Sequence, residues 1–389
     1  MSSESTDGKL STKITEKKVF GEGKVEEGLQ GYHDRMEQLL QISVDQDASD
    51  LHLAVGRPPC YRVHGRLRIL HGSPELTAED TENLARVVTP DDCWVEVTNR
   101  GSTDYGFAYK DKARYRVNVY KEKGCYSMAL RLLPNKMYTF EQIGLEPRLK
   151  ELLYKPKGLV LVTGPTGSGK TTTLATMLNF INLERDIHMI TIEDPIEYYH
   201  PHKKSLVSQR ELRVDTPDFP ESLRRALRQD PDVILVGEMR DLQTMAAAIA
   251  AAETGHLVFA TLHTTGAART VDRIIDAFPP DQQGQIRTQL AASIIAVISQ
   301  LLLARKDKPG RAAAFEIMIA TPAIQNLIRE QKTFRIPSCI QTGKQMGMKC
   351  LDDSLWDLYA SGKIDYGDMV TSANDVEEIE RKMEAYKAK

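Results

Sequence analysis

The sequence has few cysteines and no long apolar run. Its cysteines number five and lie far apart, with no C-x-x-C pair among them: Cys60, Cys93, Cys125, Cys339 and Cys350. This distribution argues against a structural zinc site and is typical of reduced thiols in a cytoplasm. No run of about 18 apolar residues occurs, so we expect no transmembrane segment. The polar N-terminus also lacks the apolar core of a signal peptide.

The sequence lacks a charge excess of either sign. Its 389 residues carry a formal net charge of −3, which gives no reason to expect nucleic acid as a partner. Apolar residues make up 41% of the chain and charged residues 27%, which is ordinary for a globular protein. A chain of this length is too long for one typical domain, so we expect two or three.

One stretch carries a specific motif for phosphate binding. Residues 164–171 read GPTGSGKT, which matches the phosphate-loop pattern G-x-x-x-x-G-K-[ST]. An apolar run of strand length precedes the motif, and residues with helical spacing follow it. In such a loop backbone N–H groups turn toward phosphate oxygens, and the helix N-terminus adds positive charge. The motif predicts a site for a nucleoside triphosphate, with a chance glycine-rich turn as the alternative.

The motif assigns ATP and Mg²⁺ to named residues. Lys170 is expected to reach the β- and γ-phosphates, and the Thr171 hydroxyl is expected to hold Mg²⁺. The predicted nucleotide-binding residues are Gly164, Pro165, Thr166, Gly167, Ser168, Gly169, Lys170, Thr171 and Thr172.

Composition and hydrophobic pattern divide the chain into five predicted segments. Residues 1–31 are polar and poor in apolar residues, which predicts a disordered tail. Residues 32–135 combine helical spacing near His33 with alternating runs, which predicts an α+β domain. The predicted strands of this domain are residues 49–53, 104–109, 114–120 and 126–133, with a hairpin around Gly65 and a helix capped by Thr77.

The other segments are a connector, a second domain and a C-terminal region. The connector, residues 136–156, contains a short predicted helix at 146–154. Residues 157–310 alternate strands and helices, which predicts an α/β domain whose parallel sheet is covered on both faces. Its predicted strands are residues 159–162, 189–192, 233–236 and 257–261, and its predicted helices include residues 222–228, 242–253 and 286–303. Residues 311–389 are predicted to begin with a hairpin at 311–319 and to be mostly helical thereafter.

Two acidic segments follow predicted strands at the sheet edge that carries the phosphate loop. Residues 193–197 read EDPIE and place three carboxylates after a strand, the last of them Glu197. In the second segment, four apolar residues lead to Glu238 and match a Walker-B strand, which positions Mg²⁺ or its waters. A helix cap or a surface carboxylate is the alternative reading of Glu197 and Glu238, and Asp241 is expected to cap a helix.

Two histidines lie at the ends of the predicted strand 257–261. His263 is followed by two threonines at the carboxyl edge, so it is better placed to sense phosphate than His256. For either histidine the ordinary alternative is a satisfied polar residue at a strand end. In the N-terminal domain, Arg116 and Arg131 alternate with apolar residues, which on pattern alone indicates solvated strand faces.

Together these motifs resemble those of the bacterial type II/IV secretion ATPase superfamily. Within it the chain is most similar to the type IV pilus retraction (PilT/PilU) branch. The resemblance rests on residues 191–197, 227–241 and 254–264, with the run SDLHL at 49–53, and it covers roughly residues 36–365. It implies a RecA-like phosphate-loop motor domain, preceded by a smaller PAS-like α+β domain and followed by a helical C-terminal region.

The resemblance also implies roles for individual residues. Glu197 matches the general base that activates water, and Glu238 matches the Walker-B glutamate, a ligand of Mg²⁺. Arg116 and Arg131 match arginines that approach the γ-phosphate. The remaining matches are the two positions of the "His box", His256 and His263.

The implied protein is a homohexameric ATPase that retracts type IV pili from the cytoplasmic side. It would dock peripherally at the inner-membrane base of the pilus machine, with the platform protein and a paralogous retraction ATPase as further partners. Two features depart from the pattern: Gln325 replaces a charged residue in the motif at 323–329, and residues 358–375 resemble the accessory ATPase PilU. The alternatives are therefore a pilus assembly or type II secretion ATPase, and an accessory, regulatory nucleotide-binding subunit.

Overall fold

The computed structural model describes residues 28–63, 66–110, 112–133 and 136–387. They form two units that divide between Asn135 and Lys136. Most of the predicted tail, residues 1–27, and the predicted turn at Gly65 lie outside the described residues. The first helix begins at Gln30 and so includes the last residues of the predicted tail.

The first unit is an antiparallel sheet with three helices. Its elements are α1 (Gln30–Asp45), β1 (Asp50–Leu53), β2 (Cys60–Val63), β3 (Arg66–Ile69), α2 (Ala78–Val88), α3 (Asp91–Arg100), β4 (Ser102–Tyr109), β5 (Ala113–Glu122) and β6 (Cys125–Leu133). The strand order is β3-β2-β1-β6-β5-β4, and every pair is antiparallel. Thr77 caps α2 in a capping box with Asp80, as the sequence predicts for Thr77.

The second unit contains a seven-stranded sheet. Its elements are α4 (Phe140–Ile143), β7 (Gly158–Thr163), α5 (Lys170–Glu184), β8 (His188–Glu193), β9 (Leu206–Glu211), α6 (Phe219–Ala226), β10 (Val233–Val236), α7 (Leu242–Thr254), β11 (Leu257–Leu262), α8 (Ala267–Asp276), α9 (Pro280–Ser293), β12 (Ile294–Ala304), β13 (Arg311–Ile319), α10 (Pro322–Arg329), α11 (Ile336–Thr342), α12 (Leu351–Ala360), α13 (Tyr366–Ser372) and α14 (Val376–Lys387), with 3-10 helices at Pro147–Tyr154, Thr333–Arg335 and Lys344–Met346.

The strand order of this sheet is β13-β12-β7-β11-β10-β8-β9. All neighbours are parallel except β12 and β13, so the carboxyl ends of β7, β8, β10 and β11 lie at one edge. Side chains of β7 alternate between two cores: Leu159 and Leu161 pack with α6 to α9, whereas Val160 and Val162 pack with α4 and α5. Burying each such side chain contributes about 1.5–3 kcal/mol, which explains why the central strands are continuously apolar.

The parallel sheet and the helical region after it confirm the predicted α/β fold class. The long helix predicted at 286–303 is wrong, because α9 ends at Ser293 and β12 follows at once. A continuous apolar run fits a buried strand as well as a helix, and β12 gains ladder hydrogen bonds from β7 and β13.

The hairpin predicted within 311–319 is also wrong. These residues form the single strand β13, whose partner is the upstream β12, with Ala304 opposite Arg311. The sheet therefore continues across the predicted segment boundary at residue 310. The helix predicted at 146–154 is a 3-10 helix, Pro147–Tyr154. Among the described residues, no helix combines the length and apolar character that crossing a bilayer requires.

Candidate nucleotide site

The predicted phosphate loop connects β7 to α5. Gly164, Gly167 and Gly169 all have positive φ, at 139°, 78° and 87°. A side chain at Gly164 would collide with the backbone carbonyl oxygen of Gln300, so only glycine fits there. Gly169 is the N-cap of α5 and no side chain caps this helix. The helix N-terminus is therefore open to an anion.

Lys170 folds back over the loop. Its Nζ donates to the backbone oxygens of Gly164, at 2.8 Å, and Pro165, at 3.1 Å. Partial burial lowers the pKa of Lys170, while the nearby charges of Glu238 and Glu197 act to raise it. The charges of both predicted carboxylates therefore act on the loop lysine at the carboxyl edge of the sheet.

Gln300 is a loop contact that sequence reasoning missed. This residue lies on β12 and is 2% exposed. Its amide Nε2 donates to the backbone oxygen of Ser168, and its Oε1 accepts from Thr173 Oγ1 at 2.7 Å. The amide thereby joins the loop to the first turn of α5. The available signal is a polar amide within a mostly apolar run, a pattern that on sequence alone fits a buried helix as well as a strand.

The loop also contains a buried oxygen without a partner. Ser168 Oγ is enclosed and has no hydrogen-bond partner among the described residues. Buried polar atoms are ordinarily hydrogen-bonded, so such an atom is a candidate ligand contact. Together with the uncapped helix and Lys170, it fits the phosphates of a nucleotide.

Glu238 and His263 connect the end of β10 to the loop. Glu238 Oε1 lies 2.7 Å from Arg240 Nε and 3.0 Å from His263 Nε2, and the Glu238 side chain is 19% exposed. The other ring nitrogen of His263, Nδ1, lies 3.4 Å from Thr166 Oγ1. His263 therefore lies between Glu238 and Thr166 of the phosphate loop. Asp241 is a helix cap, as expected, and accepts from the backbone N–H of Thr244.

The EDPIE segment begins with a buried carboxyl group and ends beside α5. Burial raises the pKa of Glu193 to about 7, whereas Asp194 is exposed and pairs with Arg213 at 2.9 Å. The hydroxyls of Tyr198 and Thr172 lie 3.0 Å apart, which anchors the segment to the start of α5. Glu197 is half-buried and forms no ion pair within the described part of the chain.

His256 lies at the opposite edge of the sheet from the other candidate site residues of the second unit. It precedes β11 and its Nδ1 lies 3.0 Å from the backbone oxygen of Ala251. Leu257 pairs with Gly158, at the amino end of β7, whereas the phosphate loop follows the carboxyl end. Six residues of strand separate the two edges, about 20 Å at 3.3 Å per residue.

Arg116 and Arg131 lie in the first unit as direct cross-strand partners on β5 and β6. Arg131 Nε donates to Asp50 Oδ1 at 2.9 Å, and Arg116 Nε lies 3.7 Å from Asp104 Oδ1. The side chain of Arg131 is 67% exposed and that of Arg116 is 44% exposed. Both arginine side chains are therefore accessible to solvent, on an adjacent pair of strands.

The residues present also fit a divalent cation bound together with a nucleotide. Within the described ranges, no cluster of three or more His, Cys, Asp or Glu side chains could hold a metal alone. Mg²⁺ ordinarily takes one or two protein ligands plus phosphate oxygens and water. Thr171 and Glu238 are the hydroxyl and carboxylate that this arrangement requires.

Comparison with known proteins relates the whole arrangement to one family. Residues 36–355 match the model of the family described as "Type II/IV secretion system protein". The chain is 49% identical to the type IV pilus retraction ATPase PilT of Pseudomonas aeruginosa, covering 84% of this chain and 94% of that one. It is 35% identical to the type IV pilus ATPase PilU of the same organism, covering 88% and 90%. A crystal structure of the pilus retraction motor PilT with bound ADP matches with a TM-score of 0.84 and 43% identity, covering 89% and 98%.

Proposed function

Because the chain belongs to the type II/IV secretion system protein family, we propose that it is an ATPase motor that drives type IV pilus retraction. The observation that carries the proposal is the 49% identity to PilT over 94% of that protein. The structure supplies the matching chemistry, because the phosphate loop, Glu197, Glu238 and His263 meet at one sheet edge.

In the proposed mechanism the loop and the N-terminus of α5 bind the phosphates, and Lys170 exchanges its loop oxygens for phosphate oxygens. Mg²⁺, held by Thr171 and Glu238, would neutralise phosphate charge when bound. Glu197 accepts the proton of the attacking water. The ion pairs support this division: Glu238 is engaged by Arg240 and His263, whereas Glu197 has no ion pair among the described residues and stays available.

The two arginines of the first unit are proposed to stabilise the transferred phosphoryl group. A loose phosphoryl-transfer transition state requires positive charge on its outer oxygens. Arg116 and Arg131 present exposed guanidinium groups side by side, which suits that role. Because they belong to a different unit from the phosphate loop, their action would make hydrolysis depend on domain closure and couple it to movement.

We further propose a homohexameric ring that docks on the inner-membrane platform of the pilus machine. An accessory role like that of PilU is the second candidate, since Gln325 replaces a charged residue on α10 and the chain is 35% identical to PilU. Against an assembly ATPase, which would carry a four-cysteine zinc site, the described cysteines are free thiols that form no cluster.

A deletion strain tests the proposal. Hyperpiliated cells that do not twitch would support the retraction motor, and restoration by the wild-type gene but not by Lys170→Ala would tie the phenotype to nucleotide binding. Bald cells would instead identify an assembly ATPase. Cells with near-normal pili and motility would identify an accessory subunit.

A further inference from the structure

Glu193 is a buried carboxyl group that the proposed mechanism does not use. It ends β8 and is 6% exposed. Thr191 Oγ1 donates to its Oε1 at 2.7 Å, and Gln209 Nε2 donates to the same oxygen at 3.2 Å. The charge of Glu197, the proposed base, also acts on this carboxyl group. Two side-chain donors therefore converge on one oxygen of a buried carboxyl group.

Gln209 extends this network along the turn that follows Glu197. Its Nε2 also donates to the backbone oxygen of Tyr198 at 2.8 Å, and its Oε1 accepts from the backbone N–H of His200 at 2.7 Å. Gln209 lies on β9 opposite Thr191, so the sheet register sets its position. The backbone that follows Glu197 is thus tied through Gln209 to the Glu193 carboxyl group.

The groups around Glu193 act on its pKa in opposite directions. Burial opposes the charged form, and the neighbouring charge of Glu197 opposes it too, while the hydrogen bonds from Thr191 and Gln209 favour it. From β9, Gln209 and Glu211 face this region, and Glu211 is occupied by the backbone N–H of Ile196 at 3.2 Å. At the end of β10, the backbone of Gly237 lies close to Glu193 Cα.

We propose that Glu193 is the positioning residue of the catalytic base: its ionised carboxylate fixes Gln209, whose amide holds the backbone that follows Glu197, and turnover requires that ionised form. This inference rests on the proposed ATPase function. The ionised group accepts from Thr191 and Gln209 and favours proton uptake by Glu197 through its negative charge. The protonated group is a weaker acceptor for both donors and carries no negative charge.

The test is the pH profile of ATP hydrolysis by the full-length protein. With the pKa of Glu193 at about 7, wild-type kcat should fall about 10-fold from pH 8 to pH 6. Glu193→Gln should have a lower kcat at pH 8 and a nearly flat profile, with a KM for ATP within about 3-fold of wild type because the phosphate loop is untouched. A Glu193→Gln profile with the wild-type slope would overturn the inference.

Two further variants separate positioning from a general loss of structure. Thr191→Val removes one donor to the ionised form at nearly constant volume, so the inflection of the profile should move to higher pH. Asp194→Asn makes the same charge change one residue away, at a side chain that pairs with Arg213, and should keep the wild-type inflection. An unmoved inflection in Thr191→Val, or a flat profile in Asp194→Asn, would contradict the proposal.

The inference and the proposed function fail in different ways. If the wild-type protein does not hydrolyse ATP, or if Glu197→Gln turns over like wild type, the proposed function and its base are wrong. If wild type and Glu197→Gln behave as expected while Glu193→Gln retains the wild-type profile, only the positioning role of Glu193 is wrong.

Discussion

Glu238 and His263 form a close pair, with 3.0 Å between Glu238 Oε1 and His263 Nε2. The two residues follow neighbouring parallel strands, β10 and β11, and His263 also reaches Thr166 of the phosphate loop. The imidazole of His263 therefore lies between Glu238 and the phosphate loop and contacts both.

His263→Ala should lower kcat by about 10-fold or more, as expected when an orienting partner is lost, while nucleotide affinity changes little. Steady-state hydrolysis and calorimetric titration measure the two effects. His256→Ala is the matched control, because it removes the same ring at the opposite sheet edge. Equal losses in both variants would contradict the assignment of His263.

Glu197→Gln should leave ATP binding intact and slow hydrolysis by about 10²–10⁴-fold, because the amide cannot accept the proton of water. Glu238→Gln should also impair turnover, but with a changed dependence on Mg²⁺ concentration. Single-turnover hydrolysis at several Mg²⁺ concentrations separates the two. If Glu238→Gln abolishes hydrolysis while Glu197→Gln leaves it near normal, Glu238 is the base.

Arg131→Ala should retain folding and ATP binding while hydrolysis falls by about 10³–10⁵-fold, the range for loss of a charge-stabilising arginine. Its side chain is 67% exposed, so little packing is lost. Arg116→Ala should act in the same direction with a smaller effect. Arg68→Ala, at an exposed position on β3 of the same sheet, is the control and should hydrolyse ATP normally. Robust hydrolysis by Arg131→Ala would show that this arginine is only a surface charge.

The stability of the protein should depend on pH through Glu193. Its pKa is 4.5 in the reference state and about 7 when folded, so the folded form holds the proton more tightly. The stabilisation is complete below pH 4.5 and is lost as pH rises through 7. Glu193→Gln removes this dependence, so its Tm relative to wild type should rise between pH 5 and pH 8. A constant difference in Tm would contradict the raised pKa.

Local motifs made much of the site predictable. The phosphate loop is contiguous, and the strands before Glu197 and Glu238 are short apolar runs whose carboxyl ends meet in any parallel sheet. Gln300 could not be assigned because β12 and a buried helix share one apolar pattern, and only pairing with β7 decides between them.

Contacts that depend on the register of strand pairing could not be predicted from the sequence. Arg131 and Asp50 are 81 residues apart and meet because β1 and β6 pair with these positions opposite each other. Glu193 and Asp194 are adjacent acids, yet one is buried and the other exposed because side chains alternate at the end of β8. Neither the exposed guanidinium pair nor the buried carboxyl group has a local sequence signature.

The central claim is that ATP hydrolysis at this site drives pilus retraction. Its most direct test is the number of surface pili on cells whose sole copy of the gene carries Glu197→Gln, with protein level and ATP binding shown to match wild type. We expect dense pili and no twitching, because the motor binds ATP without turnover. Cells that lack pili, or that twitch as wild type does, would contradict the claim.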